Sequence, residues 1–476
     1  MAPNPKILIV GAGIAGLSMA VMLERAGMKD YLILERAAEL RPMGSAIALS
    51  AMMLRCYEQL GIYDEIMAVA KPSVGNAFLD QDLHFLWNMK GFFLERRYGY
   101  FNVILSRADY HRILAGHVPA DKVVYGKKVL SLVHTPEGAT IGCSDNSVYQ
   151  ADIVIGADGA YSSVRQSLYK SIQIEAATAA TATAAGISTG ATPLSSRGSL
   201  LRSTSAISRL SSSSSSLSSI SSISNSSNES RSPKSVHTTA SNSSLPKRKR
   251  SDSSGHEEGP DHSSRQDRQP TVYRLPKSDS APLRFDQHGI VGITAPLDPE
   301  KYPFLKDKGC QVMTILSNSG ISTWLFPLTG NRIAWCIGGR NLISDSEKKA
   351  QANSAADGIL KLDYLRNQKS PYGGTIGDMF DQTEKGTAIR IMLEDKAFKT
   401  WYYKRTVLVG DACHKVIPFT GVGAVHAILD CIVLINALYD MPDGRDFTQA
   451  DITKAFQAYY AQRFKHAAAA VRRSKQ

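Results

Sequence analysis

Three glycine-centred segments carry the residue types that cradle phosphates. The first is Gly11-Ala12-Gly13-Ile14-Ala15-Gly16, directly after the apolar run Ile7-Leu8-Ile9-Val10. Gly11 permits a tight turn, Gly13 lets backbone N–H groups approach a pyrophosphate, and Gly16 lets the next helix pack closely on the strand. The second is Gly156-Ala157-Asp158-Gly159, followed by Ser162, Ser163 and Arg165. The third is Gly410-Asp411-Ala412-Cys413-His414, running on to Pro418, Gly421, Gly423 and Asp430. The first alone is a weak signal. The three in this order, more than two hundred residues apart at the widest gap, point to one shared ligand, FAD.

These residues need strands and helices to hold them. Ile7 to Val10 reads as a buried parallel strand. A helix is expected over roughly Ile14 to Ala26, with its positive end at the phosphates and a stop at Gly27. A second strand, Tyr31-Leu32-Ile33-Leu34, ends in Glu35, about twenty residues past the turn. A carboxylate there suits the two hydroxyls of an adenosine ribose and would repel a 2′-phosphate. Asp158 ends the strand Ile153-Val154-Ile155, where it can anchor a turn against a pyrophosphate. Asp411 likewise ends Val407-Val409. The expected architecture is therefore α/β: a Rossmann-like FAD-binding domain with a second lobe built on an antiparallel sheet.

A chain of 476 residues can bury two substantial cores, which favours a two-lobed enzyme over a small binding module. Cys56, Cys143, Cys310, Cys336, Cys413 and Cys431 form no C-x-x-C pair and no metal-ligand spacing, so no metal is expected and a reduced, cytoplasmic setting fits. No stretch reaches the roughly 18 apolar residues of a membrane span, and Ile432 to Leu438 reads as a core helix. Met1 to Lys6 carry no signal peptide. The net charge is +12, of which residues 171–276 supply +5 from 12 Lys/Arg and 7 Asp/Glu. The remainder is spread widely and no nucleic-acid motif accompanies it, so nucleic acid is not an expected partner. Attraction for anionic NAD(P)H accounts for the excess.

Residues 176–269 read as a disordered Ser-rich insert. Residues 201–250 hold 22 serines, too few apolar side chains remaining to offset ordering entropy. The run Ala176 to Ala185 offers a transient helix, and Lys247-Arg248-Lys249-Arg250 reads as a solvated basic run or a nuclear address. Strands are expected to resume at Gly289–Thr294, Gln311–Leu316, Ser322–Leu328 and Arg332–Ile337. Trp324, Phe326 and Trp335 are candidates for the wall of a cavity between sheet and cofactor. The expected division is an FAD-binding domain of 1–80, 104–170 and 400–445, a substrate domain of 81–103 and 275–399, and a C-terminal helix in 446–476.

The motif triplet resembles that of the single-component FAD-dependent monooxygenases of the aromatic-hydroxylase type, and is most similar to the fungal paxilline-type group of meroterpenoid pathways. The resemblance covers about residues 5–170 and 275–465. It implies that Gly11, Gly13, Gly16 and Glu35 hold ADP, and that Ala48, in Gly44-Ser45-Ala46-Ile47-Ala48, contacts the flavin. It further implies that Arg107 reaches the phosphates, that Asp158 serves FAD and NAD(P)H, and that Asp411 contacts the ribityl or pyrophosphate part. Gly421, Gly423 and Ala424 open a helix whose N–H groups would stabilise negative charge at the flavin N1–C2 edge. Where the family carries glutamine and asparagine, this chain has Val422 and Val425. Where some fungal relatives place a tyrosine, it has Gln287 or His288.

The family's chemistry, as the resemblance implies it, is reduction of FAD by NAD(P)H, addition of O₂ at C4a, and oxygen transfer from the hydroperoxide to a small hydrophobic substrate. No residue type compels a catalytic base. His414, Lys415 and His426 lie near the third segment and read as structural. The expected reaction is hydroxylation or epoxidation of an aromatic or isoprenoid-bearing molecule. An NAD(P)H oxidase or dehydrogenase without oxygen insertion, and a flavin-binding interaction protein, are the alternatives. Substrate identity and oligomeric state are not encoded in these patterns.

Overall fold

Ile7–Val10 forms strand β1, with all four side chains buried, because four consecutive apolar residues leave neither face for water. The computed structural model describes residues 4–40, 44–90, 93–184, 273–339, 362–383, 388–443 and 447–474. The chain divides into two units, 1–181 with 272–476 and 182–271. All but the first three residues of the second lie outside the described residues, as does Lys247 to Arg250.

The next strands in the chain are Tyr31–Leu34 (β2), Ala46–Leu49 (β3), Lys71–Asp80 (β4), Phe85–Lys90 (β5), Val103–Ser106 (β6) and Val123–Val124 (β7). Val129–His134 (β8), Ala139–Cys143 (β9), Val148–Ala151 (β10) and Ile153–Gly156 (β11) follow. Beyond residue 272 come Arg284–Ile293 (β12), Cys310–Leu316 (β13), Ile321–Leu328 (β14), Arg332–Gly339 (β15) and Ile389–Ala397 (β16). Tyr402–Tyr403 (β17), Thr406–Leu408 (β18) and His414–Lys415 (β19) close the set.

The first sheet runs β17-β18-β11-β1-β2-β7, with β18, β11, β1, β2 and β7 parallel. Helices Ile14–Arg25 and Gly423–Tyr439 pack together beside it, contributing Leu17, Leu23, Ile428 and Leu434 to its core. A three-stranded meander, β10-β9-β8, adjoins it. The helix Gln449–Arg473 opens with a capping box between Thr448 and Asp451.

The second sheet runs β19-β16-β12-β15-β14-β13-β4-β6-β3, with β5 paired to β4. It is antiparallel except where β13 lies parallel to β4. Because β3 and β6 belong to it, one sheet carries both the Ala46–Ala48 segment and the strand that leads into Arg107. Its two faces differ. One buries Ile290, Leu325, Ile333, Trp335 and Ile337 against Met379 and Phe380 of the helix Ile376–Asp381. Trp335 therefore does not line the expected cavity: its indole N–H donates to Thr383 Oγ1 at 2.9 Å inside that core. Trp324 and Phe326 alternate with Thr323 and Leu325 and occupy the other, half-open face.

The helix Ser163–Ala184 extends past residue 176, where the insert was expected to begin. Alanine is the best helix former, and Thr178 and Thr181 turn their hydroxyls back onto the carbonyls of Ile174 and Ala177. Glu175, one turn earlier, is tied to Tyr403 and Lys404. Among the described residues, no helix is long and apolar enough to cross a membrane.

Candidate functional site

The three glycine segments leave the C-terminal ends of β1, β11 and β18, which are neighbours in one parallel sheet. Loops at that edge converge, which is where open α/β sheets bind ligands. The contacts are close. A methyl at Gly11, whose φ is +103°, would meet the Ala157 carbonyl oxygen at 2.7 Å. One at Gly410 would lie 3.0 Å from Ala427 Cβ and 3.4 Å from Ala15 Cβ. One at Gly16 would sit 1.9 Å from the Gly11 oxygen, so only glycine lets this helix start against its own turn. Gly13 is different: nothing lies within 4 Å of its missing side chain. The first segment therefore leaves open space beside Gly13, room for a ligand to approach its backbone.

Side chains hold this backbone in place. Glu35 ends β2 as expected, and both carboxylate oxygens accept backbone N–H bonds, from Ala12 at 2.7 Å and Ala37 at 2.8 Å. Each oxygen keeps a lone pair for a ribose hydroxyl. On the other side of the turn, His111 Nε2 lies 2.7 Å from the Ala12 carbonyl, so that nitrogen carries the proton. Burial lowers the His111 pKa; the bond to the Ala12 carbonyl opposes that shift and the Arg107 charge adds to it. His111 was not singled out in the sequence; its spacing four residues past Arg107 on one helix face is the signal that could have found it.

Arg107 opens the helix Arg107–Gly116, and its N–H donates to the Ser45 carbonyl at 2.9 Å. A methyl at Gly44 would lie 2.8 Å from Arg107 Cδ, so the glycine makes room for the guanidinium stem. Burial lowers the Arg107 pKa and the Asp411 carboxylate opposes that shift. Asp411 is itself paired with Lys415 at 2.6 Å.

Asp158 caps the helix that follows it. Its Oδ2 accepts from Ser163 N at 2.7 Å, Ser163 Oγ at 3.0 Å and Val164 N at 3.1 Å. Its Oδ1 is buried and has no hydrogen-bond partner among the described residues. A buried, unpartnered carboxylate oxygen fits a ligand hydroxyl. Arg165 plays no such part: its guanidinium donates to the Ala412 carbonyl at 2.8 Å and the Ala160 carbonyl at 2.7 Å, and lies over the Phe398 ring.

Behind the third segment lies a buried polar network. Asp430 accepts from Gly410 N at 2.9 Å and Arg463 Nε at 2.8 Å, and lies 2.5 Å from His414 Nε2. Burial opposes the Asp430 charge, but His414 and Arg463 hold its pKa below the ordinary carboxylate value. Arg463 also donates to His426 Nδ1 at 2.9 Å. Cys413, His414 and Asp430 present ligand atoms within reach of one ion. Both Asp430 oxygens are already bound by protein, so the cluster serves to fix Gly410 and the helix behind it. His414, Lys415 and His426 are all paired with protein groups.

The large sheet meets these loops at Ala48. A methyl at Gly421, φ +64°, would lie 3.8 Å from Ala48 Cβ. Gly423 and Ala424 begin the helix Gly423–Tyr439, and nothing lies within 4 Å of the missing Gly423 side chain. Ala46 and Ala48 pack with Ile293, Phe326 and Ala334 on the half-open sheet face. The fully buried His288 lies 3.2 Å from Arg390; the side chain of Gln287 is outside the described residues. A hollow of about 660 Å³ beside Ile172, Ala176, Arg274 and Lys277 includes none of the glycine segments.

Comparison with known proteins bears on the family and the fold. Residues 4–245 match the family described as FAD binding domain. Residues 343–472 match the family described as squalene epoxidase. FAD-dependent monooxygenase pyr5 of Aspergillus fumigatus is 25% identical over 439 residues, 91% of this chain and 71% of that protein. FAD-dependent monooxygenase paxM of Penicillium paxilli is 24% identical over 445 residues, 92% and 70% respectively. The structure of Klebsiella pneumoniae HpxO complexed with FAD and uric acid superposes with a TM-score of 0.62 at 19% identity, covering 98% of this chain and 86% of that one. That last likeness concerns the fold. The chain belongs to the FAD-binding-domain family, as an FAD-dependent monooxygenase of the aromatic-hydroxylase, paxilline type.

Proposed function

We propose that this enzyme uses NAD(P)H and O₂ to hydroxylate or epoxidise a hydrophobic aromatic or isoprenoid-bearing small molecule. The observation that carries the reading is the junction at Ala48. There the apolar sheet face of Phe326, Ala334 and Ile293 reaches the loops that carry Gly421 and the helix start at Gly423. The likeness of residues 343–472 to the squalene epoxidase family supports an isoprenoid substrate.

In this reading Gly11, Gly13, Gly16 and Glu35 hold the ADP part of FAD, and Arg107, Asp158 and Asp411 hold its central part. Ala48, Gly421, Gly423 and Ala424 border the flavin ring. Segments 1–80, 104–170 and 400–445 carry these residues, while 81–103 and 275–399 supply most of the open sheet face. When bound, FAD supplies the redox chemistry, passing electrons from NAD(P)H to O₂ and one oxygen atom to substrate. The chain contributes position and charge. The N-terminal end of the helix Gly423–Tyr439 carries partial positive charge and favours an anion beside it. The apolar face excludes water from the reacting groups. His414 and His426 are committed to Asp430 and Arg463, so neither is placed here as a proton shuttle.

Supply of ¹⁸O₂ and NADPH to the purified, FAD-loaded protein with a panel of aromatic and prenylated small molecules tests this. Label in one product supports the reading. Stoichiometric H₂O₂ with no labelled product would instead assign an NAD(P)H oxidase.

A further inference from the structure

Strand β5 exposes more apolar surface than a sheet edge normally tolerates. Phe85, Leu86, Trp87 and Met89 are 64%, 48%, 47% and 56% exposed. They point to both faces of the strand, and β5 pairs only with β4 among the described residues. Edge strands are normally protected by charge, bulges or a covering element, and an exposed apolar patch marks something that covers it.

The same strand is continuous with the open sheet face. Trp87 stacks on Phe78 with ring centroids 3.8 Å apart and planes 5° from parallel. In register, Phe78 lies beside Thr314, Thr314 beside Trp324, Trp324 beside Cys336, and Cys336 beside Val291. Residues directly opposite share a face. An aromatic-rich row therefore runs from the exposed edge to the middle of the sheet.

Charge is distributed unevenly along β5. Its turn end carries Asp80, bound to His84 at 3.0 Å, and Asp82. Its other end carries the exposed Lys90, and exposed Arg96 and Arg97 follow in the helix Phe93–Tyr98, where the exposed Glu95 offsets one of the three cations. Bulky apolar side chains and a tryptophan with cations at one end match the boundary of a bilayer that holds anionic headgroups. A partner protein adding a strand would satisfy the edge N–H and C=O groups; at the headgroup boundary water and headgroups satisfy them instead, while the acyl chains below receive side chains from both faces.

We propose that β5 is a lipid-docking edge that seats the protein on an anionic membrane surface and passes lipophilic substrate along the row from Trp87 to Trp324. The second half of this proposal rests on the hydrophobic substrate inferred above; the first half does not.

The test is flotation of the full-length, FAD-loaded chain with phosphatidylcholine vesicles, with and without added phosphatidylserine. The wild type should float with both and more strongly when phosphatidylserine is present. Phe85→Ser/Leu86→Ser/Met89→Ser should lose flotation with both while keeping its flavin absorbance. Lys90→Gln/Arg96→Gln/Arg97→Gln should lose the preference for phosphatidylserine, by roughly a hundredfold in partitioning. If the apolar triple variant does not fold, the single Met89→Glu carries the same expectation. A wild type that stays at the bottom with both vesicles overturns the proposal. So does an apolar variant that floats as the wild type does. A wild-type dimer made monomeric by the apolar variant, with no flotation, would assign the edge to a second copy. Flotation is read without turnover, so failure of the monooxygenase reading would leave it unaffected.

Discussion

Arg165 and Ala412, 247 residues apart in sequence, are joined by a 2.8 Å hydrogen bond from guanidinium to carbonyl. The other terminal nitrogen reaches the Ala160 carbonyl, so one planar fork fixes the second glycine segment to the third. Lysine cannot reproduce that fork. Arg165→Lys and Arg165→Met should each lower stability, the latter by roughly 3 kcal/mol, because two carbonyls lose charged donors. Denaturant unfolding measures the loss. Unchanged stability in Arg165→Met would mean that the segments are held by their strands alone.

Gly13 and Gly16 make opposite demands. A methyl at Gly13 meets nothing, whereas one at Gly16 collides with the Gly11 oxygen. Gly13→Ala should therefore leave the melting temperature of the apoprotein unchanged and weaken FAD, with Gly13→Trp abolishing binding. Gly16→Ala should fail to fold. Fluorescence titration of apoprotein with FAD, beside a thermal melt, separates the two outcomes. Full flavin content in Gly13→Trp would show that the open space belongs to something else.

This contrast shows what the sequence could carry. The run Ile7–Val10, its glycines and Glu35 are near neighbours, so type and spacing alone place them, and β1 and β2 fall where the pattern puts them. The parallel pairing of β4 with β13 joins residues more than two hundred positions apart, and no local period reports it. Trp335 and Trp324 look alike as sequence; only strand register shows that they face opposite ways. The run after Ala176 reads as unsupported until the helix Ser163–Ala184 is seen to be anchored at Glu175. Burial of Arg165, Asp430 and Arg463 is likewise a property of the assembled loops.

Asp411 neutralises Lys415 and faces the half-buried Arg107 charge. Asp411→Ala removes both interactions at a partly exposed position, so the fold should survive. Flavin occupancy should fall, or the flavin potential should shift, because two cations are left without their carboxylate. Apoprotein titration and photoreduction against a reference dye check this. Unchanged affinity and potential would place Asp411 outside the cofactor site.

Acid should destabilise the protein through His426 before it protonates most carboxylates. Burial, then His414 and Arg463, hold the His426 pKa down at about 4, against about 6.5 in an unfolded chain. Between those values the unfolded form binds more protons, so stability is full above about 6.5 and falls as pH drops towards 4. The slope from this one group is at most about 1.4 kcal/mol per pH unit. Melting temperature against pH should decline in that window, and His426→Gln should flatten the decline. A variant whose pH profile matches the wild type would show that His426 binds its proton as readily in the native protein as in the unfolded chain.

Trp324 and Trp335 offer the sharpest test of the two sheet faces. Trp335 is 1% exposed, packs on Phe380 and bonds Thr383. Trp335→Ala should cost roughly 3–5 kcal/mol of stability. Trp324 stands half-open on the face that leads to Ala48, so Trp324→Ala should cost much less stability. Its effect should fall on chemistry: a larger cavity holds substrate less tightly and admits water. FAD content should stay at the wild-type level while H₂O₂ release rises and product yield falls in a strain complemented with the variant. Loss of stability in Trp324→Ala equal to that in Trp335→Ala would mean that both faces are closed cores. The substrate would then have to be sought elsewhere on the enzyme.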